Sequence, residues 1–225
     1  MAELKLRALC WSELTEPREI YPRATNGAVA DLLNESGLVV ATESNIDEPE
    51  QGLSEARLAE ADVLFWWGHL RHGDVLPETV ERVTYYVTQG GMGFVPIHSA
   101  HYCLPLKALL GTNCGLGGWR EEGEWERITV VKPDHPIAQG LPAEFVIPET
   151  EMYNEPFDVP EPDALVFHSR FEGGEEFRSG CCWTRGKGRI FYFRPGHETY
   201  RIMDQPEVKR VLVNAALWAA GNLSS

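Results

Sequence analysis

Short apolar runs alternate with longer amphipathic segments along the first half of the chain. Four runs are typical of strands: 4–11, 38–42, 62–67 and 93–98. The third, DVLFWW, is apolar almost throughout, as expected of a strand covered on both faces. The segments between and after them predict helices, the last bent near Pro105: 24–36, 53–61, 77–91 and 100–111. This order predicts a parallel sheet with right-handed crossovers.

From about residue 119 the pattern changes to short strand-like segments with turn residues between them. We expect an antiparallel extension here, with RIFYF (189–193) rejoining the main sheet and a closing helix over 205–221. No internal repeat or long linker interrupts the pattern. We therefore expect a single domain over residues 1–225.

The composition is that of an ordinary soluble protein, with 43% apolar and 24% charged residues. The net charge of −14 argues against nucleic acid or an anionic membrane as a partner. No stretch approaches the ~20 apolar residues of a membrane span, and the N-terminus lacks a signal-peptide core. The five cysteines form no CxxC pair, which favours free thiols in the cytoplasm.

Chemically active side chains follow several predicted strands at their carboxyl ends, where open parallel sheets bind ligands. These residues are Trp11, Glu13, His69, His72, His98, His101, Arg194, His197 and Glu198. One histidine at a strand end is usually a packing residue, but five of the seven histidines lie on these segments. Imidazole suits Zn, Fe, Ni or Mn, often with a carboxylate as a further ligand. The pattern therefore indicates a metal site at this edge.

The carboxylate candidates lie in PETEMYNEPFD (148–158), namely Glu149, Glu151 and Glu155. In a strand, Glu149 and Glu151 would share one face. An acidic surface loop is the alternative interpretation of this segment. Tyr153 between them could act as an acid, donate a hydrogen bond, or serve only as a packed ring.

Several of these motifs, in this order, resemble the ThuA-like family, which is named for trehalose utilisation. The resemblance covers nearly the whole chain. It rests on WSE…YP (11–22), DEPEQGL (47–53), WWGHLRH (66–72), HSAHY (98–102), HPIAQGL (135–141), EMYNEPFD (151–158), RSGCCWTRGKGRIFYFRPGHETY (178–200) and PEVKRVLVNAALWAA (206–220). It implies a flavodoxin-like α/β fold related to class I glutamine amidotransferases, and a role in disaccharide or keto-sugar metabolism.

The comparison with amidotransferases implies that the acyl-transfer nucleophile is missing. In those enzymes a cysteine ends a central strand, and the resemblance places His98 at that position. His197 and Glu198 resemble the later His–Glu pair, whereas Cys103 lies about five residues too late in the chain. Without a thiolate, glutamine amidotransferase activity is not expected.

Our leading hypothesis is a metal-dependent enzyme that polarises a sugar carbonyl and transfers a proton, as an isomerase, lyase or hydratase would. The assignments divide into three groups. A divalent metal, most simply Zn, is assigned to His69, His98, Glu151 and His197. Proton transfer is assigned to His101, Glu198 and Tyr153, and sugar binding to Trp11, Glu13, His72 and Arg194.

Two alternatives belong to other classes. Ser99 could be the nucleophile of a hydrolase activated by His197 and Glu198, although no GxSxG motif surrounds it. The chain could also be a sugar-binding or regulatory module without turnover, since fold alone does not define function. Aromatic strands in the second half make a homo-oligomer plausible.

Overall fold

One nine-stranded sheet runs through residues 5–221, the part of the chain that the computed structural model describes. Its strands are β1 (Leu6–Ser12), β2 (Val39–Asn45), β3 (Val63–Trp67), β4 (Gly93–Ile97), β5 (Gly118–Val130), β6 (Glu144–Asn154), β7 (Ala164–Phe171), β8 (Glu176–Arg185) and β9 (Gly188–Phe193).

Five α-helices accompany the sheet: α1 (Ala24–Glu35), α2 (Glu55–Glu60), α3 (Pro77–Tyr85), α4 (Leu104–Leu110) and α5 (Pro206–Ala219). The helix expected after β4 is divided into a 3₁₀ segment, His98–Tyr102, and α4. Pro105 lies in the first turn of α4, where a missing N–H breaks no helical hydrogen bond. The helix is therefore interrupted where a bend was expected, and Cys103 lies between the two segments.

The strand order is β2-β1-β3-β4-β9-β8-β7-β5-β6. The first five strands in this order, β2-β1-β3-β4-β9, pair in parallel. Their order is that of the flavodoxin-like fold, with β9 as the fifth strand. The remaining pairs are antiparallel. The predicted α/β fold, its antiparallel extension and the return of RIFYF to the main sheet are all confirmed.

Apolar side chains fill both faces of the sheet. On one face Val29 and Leu33 of α1 join Val211 and Leu212 of α5 in a core with the sheet. On the other face the core includes residues from α2, α3 and α4. Every residue of β3 is buried, which explains why its sequence is apolar without alternation. Among the helices of residues 5–221, none has the length and apolar character of a membrane span.

The β5–β6 ribbon matters most for the site. β6 continues through the segment 148–154, so the acidic stretch is a strand and not a surface loop. Irregularities in register occur in β5 on both sides of Glu124, and such bulges bend a strand. Only residues 126–130 of β5 pair with β7. The first half of β5 pairs with β6 but not with β7. Together with the end of β6, it reaches the carboxyl ends of β4 and β9.

Candidate functional site

His98 immediately follows β4 and has a φ of 57°, in the left-handed region that residues with a side chain rarely adopt. Strained backbone of this kind occurs preferentially at functional sites. The imidazole donates a hydrogen bond from Nδ1 to the main-chain carbonyl of Arg194, over 3.1 Å. That bond leaves the lone pair on Nε2, and the ring is fully buried.

Three side chains meet above the ends of β4 and β9. We call them the His98–Glu151–His197 cluster. Glu151 Oε2 lies 3.2 Å from His98 Nε2 and 3.8 Å from His197 Nε2. The three donor atoms all lie within 4.8 Å of one another. Within residues 5–221, neither Glu151 Oε2 nor His197 Nε2 has a partner in hydrogen-bonding geometry, so two buried polar atoms at the centre are unsatisfied.

Thr199 and Glu121 surround the imidazole of His197. Nδ1 lies 2.9 Å from Thr199 Oγ1, which accepts from it when Nδ1 is protonated, and 3.2 Å from the Thr199 nitrogen, whose N–H donates to it when Nδ1 is not protonated. Because Thr199 offers both an acceptor and a donor, either tautomer of His197 has a partner. Glu121 Oε1 lies 3.5 Å from His197 Nε2 and accepts from the Thr199 hydroxyl over 3.4 Å.

The charges of the cluster follow from burial and close contacts. Burial lowers the pKa of His197 to about 4, so the ring is neutral at physiological pH. Burial would raise the pKa of Glu151, but its contacts with His98 and His197 outweigh that effect, and the pKa lies below its usual value. A neutral imidazole beside an ionised carboxylate is the state in which both bind a metal.

His69, expected to be a metal ligand, lies beside the cluster and is paired with Glu198. Nδ1 of His69 lies 2.5 Å from Glu198 Oε1, and its ring centroid is 6.5 Å from that of His98. The contact with Glu198 raises the pKa of His69. Burial would raise the pKa of Glu198, but the close contact with His69 and the nearby histidines lower it to about 2. The residues therefore form a separate His–carboxylate pair.

The ring of Tyr153 stacks on that of His98, and its hydroxyl lies near His98 Nε2. Its hydroxyl is 3.4 Å from His98 Nε2 and 3.1 Å from Ser99 Oγ. Burial raises the pKa of Tyr153 well above its usual value, so the group is a neutral hydroxyl. Ser99 has this tyrosine, and neither His197 nor Glu198, as its hydrogen-bond partner, so the hydrolase arrangement considered above is not formed.

His101 is bonded to the main chain and packs against Tyr153. Its Nδ1 donates to the carbonyl of Cys114 over 2.7 Å, and its ring packs edge-on against Tyr153 with 5.4 Å between centroids. Burial lowers its pKa to about 3. A neutral, buried ring that contacts Tyr153 supports that side chain, and the proton-transfer role of His101 stays a prediction.

Glu13 and His72 converge on Gly68 at the end of β3. A Cβ on Gly68 would lie 3.1 Å from Glu13 Oε2 and 3.3 Å from the ring of His72, so a side chain there would press against both groups. Glu13 Oε1 accepts from the Leu70 N–H and from the Thr15 hydroxyl, while Oε2 has no partner among residues 5–221. Burial lowers the pKa of His72 to about 4.

Two of the residues predicted to bind sugar, Trp11 and Arg194, have buried side chains. Trp11 is 1% exposed, stacks at 3.9 Å on Trp66, and donates from Nε1 to the carbonyl of Gln51, so no face of the ring is free for a sugar. Arg194 is fully buried and pairs with the buried carboxylate of Glu126. Its guanidinium also donates to the Glu151 carbonyl and so supports the cluster from below.

Three residues around the site were not predicted from the sequence: Glu121, Glu126 and Thr199. Glu121 and Glu126 lie on β5, which begins at Gly118. Glycines on both sides of residue 119 concealed the start of the strand. Thr199, two residues after His197, carries no motif signal of its own.

The cluster fits a divalent metal on the chemistry and spacing of its donors. Atoms bound to one Zn²⁺ at about 2.0–2.2 Å with tetrahedral angles lie roughly 3.3–3.6 Å apart. The 3.2 and 3.8 Å separations bracket that range. Two imidazoles and a carboxylate are a set that zinc enzymes use, with a fourth position left open.

The fold defines a class: the chain has the flavodoxin-like α/β architecture of class I glutamine amidotransferases, with His98 directly after its fourth strand. A family model described as ThuA, trehalose utilisation, matches residues 7–219. The chain therefore belongs to the ThuA family, and this membership associates it with sugar metabolism. A comparison with curated proteins found no match.

Solved structures agree with this class at low sequence identity. A ThuA-like protein from Parabacteroides merdae is 16% identical, with a TM-score of 0.74 over 97% of this chain and 91% of that one. A protein from Salmonella typhimurium described as cytoplasmic is 17% identical, with a TM-score of 0.64 over 96% and 99% of the two chains. A glutamine amidotransferase from Thermotoga maritima is 13% identical, with a TM-score of 0.57 over 97% and 99%. At these identities the likeness establishes the fold.

Proposed function

We propose that the protein is a metal-dependent enzyme that acts on a sugar carbonyl, in a disaccharide or keto-sugar, and moves a proton beside it. The observation that carries the proposal is the convergence of three buried donor atoms within 4.8 Å, two of them without hydrogen-bond partners among residues 5–221. Membership of a family named for trehalose utilisation supports a sugar as the substrate.

The metal would be held by His98 Nε2, Glu151 Oε2 and His197 Nε2, and Zn²⁺ suits this set. When bound, it supplies Lewis-acid polarisation of a carbonyl or of neighbouring hydroxyls. The protein contributes the orientation of the ligands. The Arg194 carbonyl fixes the tautomer of His98, and Thr199 provides a partner for Nδ1 of His197.

Proton transfer is best assigned to the pair formed by His69 and Glu198. The contact of Glu198 with Nδ1 raises the pKa of His69 above its ordinary value, so the imidazole takes up a proton more readily and can serve as the acid of the pair. The side chain of His69 is 29% exposed, so it is the accessible member of the pair. Tyr153, a neutral hydroxyl, would orient a substrate oxygen.

Metal binding provides the first test. Protein loaded with Zn²⁺, Mn²⁺, Fe²⁺ or Ni²⁺ and then dialysed should retain about one equivalent by elemental analysis. His98→Asn and Glu151→Gln should lose it. Glu149→Gln is the matched control, since Glu149 is an exposed residue of the same strand. No retained metal in the unmodified protein, or equal losses in all three variants, would refute the proposed ligands.

Proton transfer can be tested without knowing the final product. The metal-loaded protein is incubated in D₂O with a 3-keto derivative of trehalose, and exchange at the carbon next to the carbonyl is followed by NMR. Exchange should depend on the metal and fall in His69→Gln. Tight metal and sugar binding with no exchange would favour the non-catalytic binding module over an enzyme.

We also place the protein in the cytoplasm. Its five cysteines are free, as expected in a reducing compartment, and a protein of the same fold from Salmonella typhimurium is described as cytoplasmic. Fractionation of the native cells, with antibody detection, tests this location. Recovery in a secreted or periplasmic fraction would contradict it.

A further inference from the structure

Trp119 is an exposed aromatic residue on the side of the β5–β6 ribbon that faces the cluster. It lies opposite Tyr153 in the antiparallel pair, and residues opposite each other project from the same face. Two residues further on, Glu121 reaches within 3.5 Å of His197 Nε2. Tyr153 and Glu121 both reach the cluster, so the register places Trp119 on the face of the ribbon that borders it.

The exposure of Trp119 has no explanation in packing. It is 65% exposed, whereas four other tryptophans are buried to 1% or less: Trp11, Trp66, Trp67 and Trp183. Trp218 is 4% exposed, and the half-buried Trp125 lies against the guanidinium of Arg127. All seven tryptophans lie within the described residues, and Trp119 alone leaves most of its surface in solvent.

The unsatisfied polar atoms of the site indicate which kind of ligand it would bind. Three buried carboxylate oxygens at the site have no hydrogen-bond partner within residues 5–221: Glu13 Oε2, Glu151 Oε2 and Glu198 Oε2. Carboxylates accept hydrogen bonds from hydroxyl groups and repel phosphate or carboxylate groups. The neighbouring guanidinium groups of Arg71 and Arg194 are already paired with carboxylates. The surroundings therefore select a neutral, hydroxyl-rich ligand.

Resting on the function proposed above, we propose that Trp119 is a stacking platform for the second, non-reacting pyranose ring of a neutral disaccharide. A pyranose presents a face of C–H groups with hydroxyls around its edge. The C–H face packs against the indole, whose electron-rich surface attracts it, and the hydroxyls remain hydrogen-bonded. The reacting ring then lies at the His98–Glu151–His197 cluster.

Calorimetric titration with trehalose and with glucose tests this platform, because only trehalose carries a second ring. The unmodified protein should bind trehalose more tightly. Trp119→Ala should weaken trehalose binding by about three- to tenfold and leave glucose binding unchanged. Trp119→Phe should retain most of the preference. Trp125→Ala, on the same strand, is the matched control and should behave like the unmodified protein.

Repeating the titrations in His98→Asn separates this inference from the proposed function, since the contribution of Trp119 should persist without bound metal. The inference is overturned if the unmodified protein shows no preference for trehalose, or if Trp119→Ala and Trp125→Ala lose it equally. It is also overturned if Trp119→Ala converts an oligomer to monomers in sedimentation, because the ring would then belong to an interface between copies of the chain.

Discussion

His98 and Arg194 are joined across the ends of neighbouring parallel strands, since the histidine ring donates to the arginine carbonyl over 3.1 Å. Ile97 of β4 pairs with Phe193 of β9, so the next residue of each strand is brought side by side by the sheet itself. The guanidinium of the same arginine donates to the Glu151 carbonyl. Arg194 thus fixes two members of the cluster through two different groups.

Loss of either partner in the Arg194–Glu126 pair should destabilise the fold strongly. Both side chains are fully buried, and removal of one leaves the other charge unpaired in the interior. Arg194→Met and Glu126→Gln should each lower the free energy of unfolding by about 3–5 kcal/mol in urea denaturation. The double variant should lose less than the sum of the two. Additive losses would show that the residues do not act as a pair.

The parallel half of the fold was predictable because its strands are buried on both faces. A uniformly apolar run such as DVLFWW requires helices above and below it, and the helices appear in the expected order. The convergence of His98 and His197 also followed from topology, since both residues follow parallel strands. The apolar pattern reports burial directly, and burial on both faces gives the parallel topology from which the convergence follows.

The β5–β6 ribbon was only partly predictable. The position of Glu121 depends on bulges in β5, which shift the alternation of faces without leaving a simple pattern. Trp11 and Arg194 were placed at the correct edge, but being near a strand end does not reveal whether a side chain points into the cleft or into the core. Arg194 points inward because its guanidinium binds the buried carboxylate of Glu126, a residue far away in sequence.

Thr199→Val should weaken metal binding without changing any ligand. The hydroxyl lies 2.9 Å from Nδ1 of His197 and orients the ring. Loss of such an outer partner typically lowers metal affinity by about 10–100-fold. Titration with Zn²⁺ against a competing chelator measures the change, and Thr199→Ser, which keeps the hydroxyl, is the control. Equal affinities of the valine and serine variants would contradict this role.

The cysteines should be unreactive in the native protein. All five are free and buried, and burial raises the pKa of Cys103, the thiol closest in sequence to the position of an amidotransferase nucleophile. A thiol-reactive disulfide reagent should therefore modify the native protein only as fast as it unfolds, and titrate five thiols in guanidinium. Rapid native modification of one thiol, together with ammonia release from glutamine, would restore the amidotransferase hypothesis.

His135, which lies outside the site, should make the free energy of unfolding depend on pH. Its Nδ1 accepts from the Ile137 N–H and caps a 3₁₀ segment, and its ring packs 5.2 Å from that of Trp218. Burial, with help from Lys132 and Arg189, lowers the pKa of His135 to about 4, against an ordinary value near 6.5. Between these values the unfolded chain binds the proton and the folded chain does not. The contribution of neutral His135 to the free energy of unfolding is therefore complete above pH 6.5 and is lost as the pH falls towards 4.

Replacement of His135 by asparagine separates this titration from the cap. Asparagine accepts the same kind of main-chain hydrogen bond but has no proton to gain. His135→Asn should therefore show a shallower fall in the free energy of unfolding than the unmodified protein between pH 6.5 and pH 4, while the two curves run parallel above pH 7. Urea denaturation at a series of pH values gives both curves. Parallel curves through the acidic range as well would mean that His135 is already free to take up its proton in the folded protein.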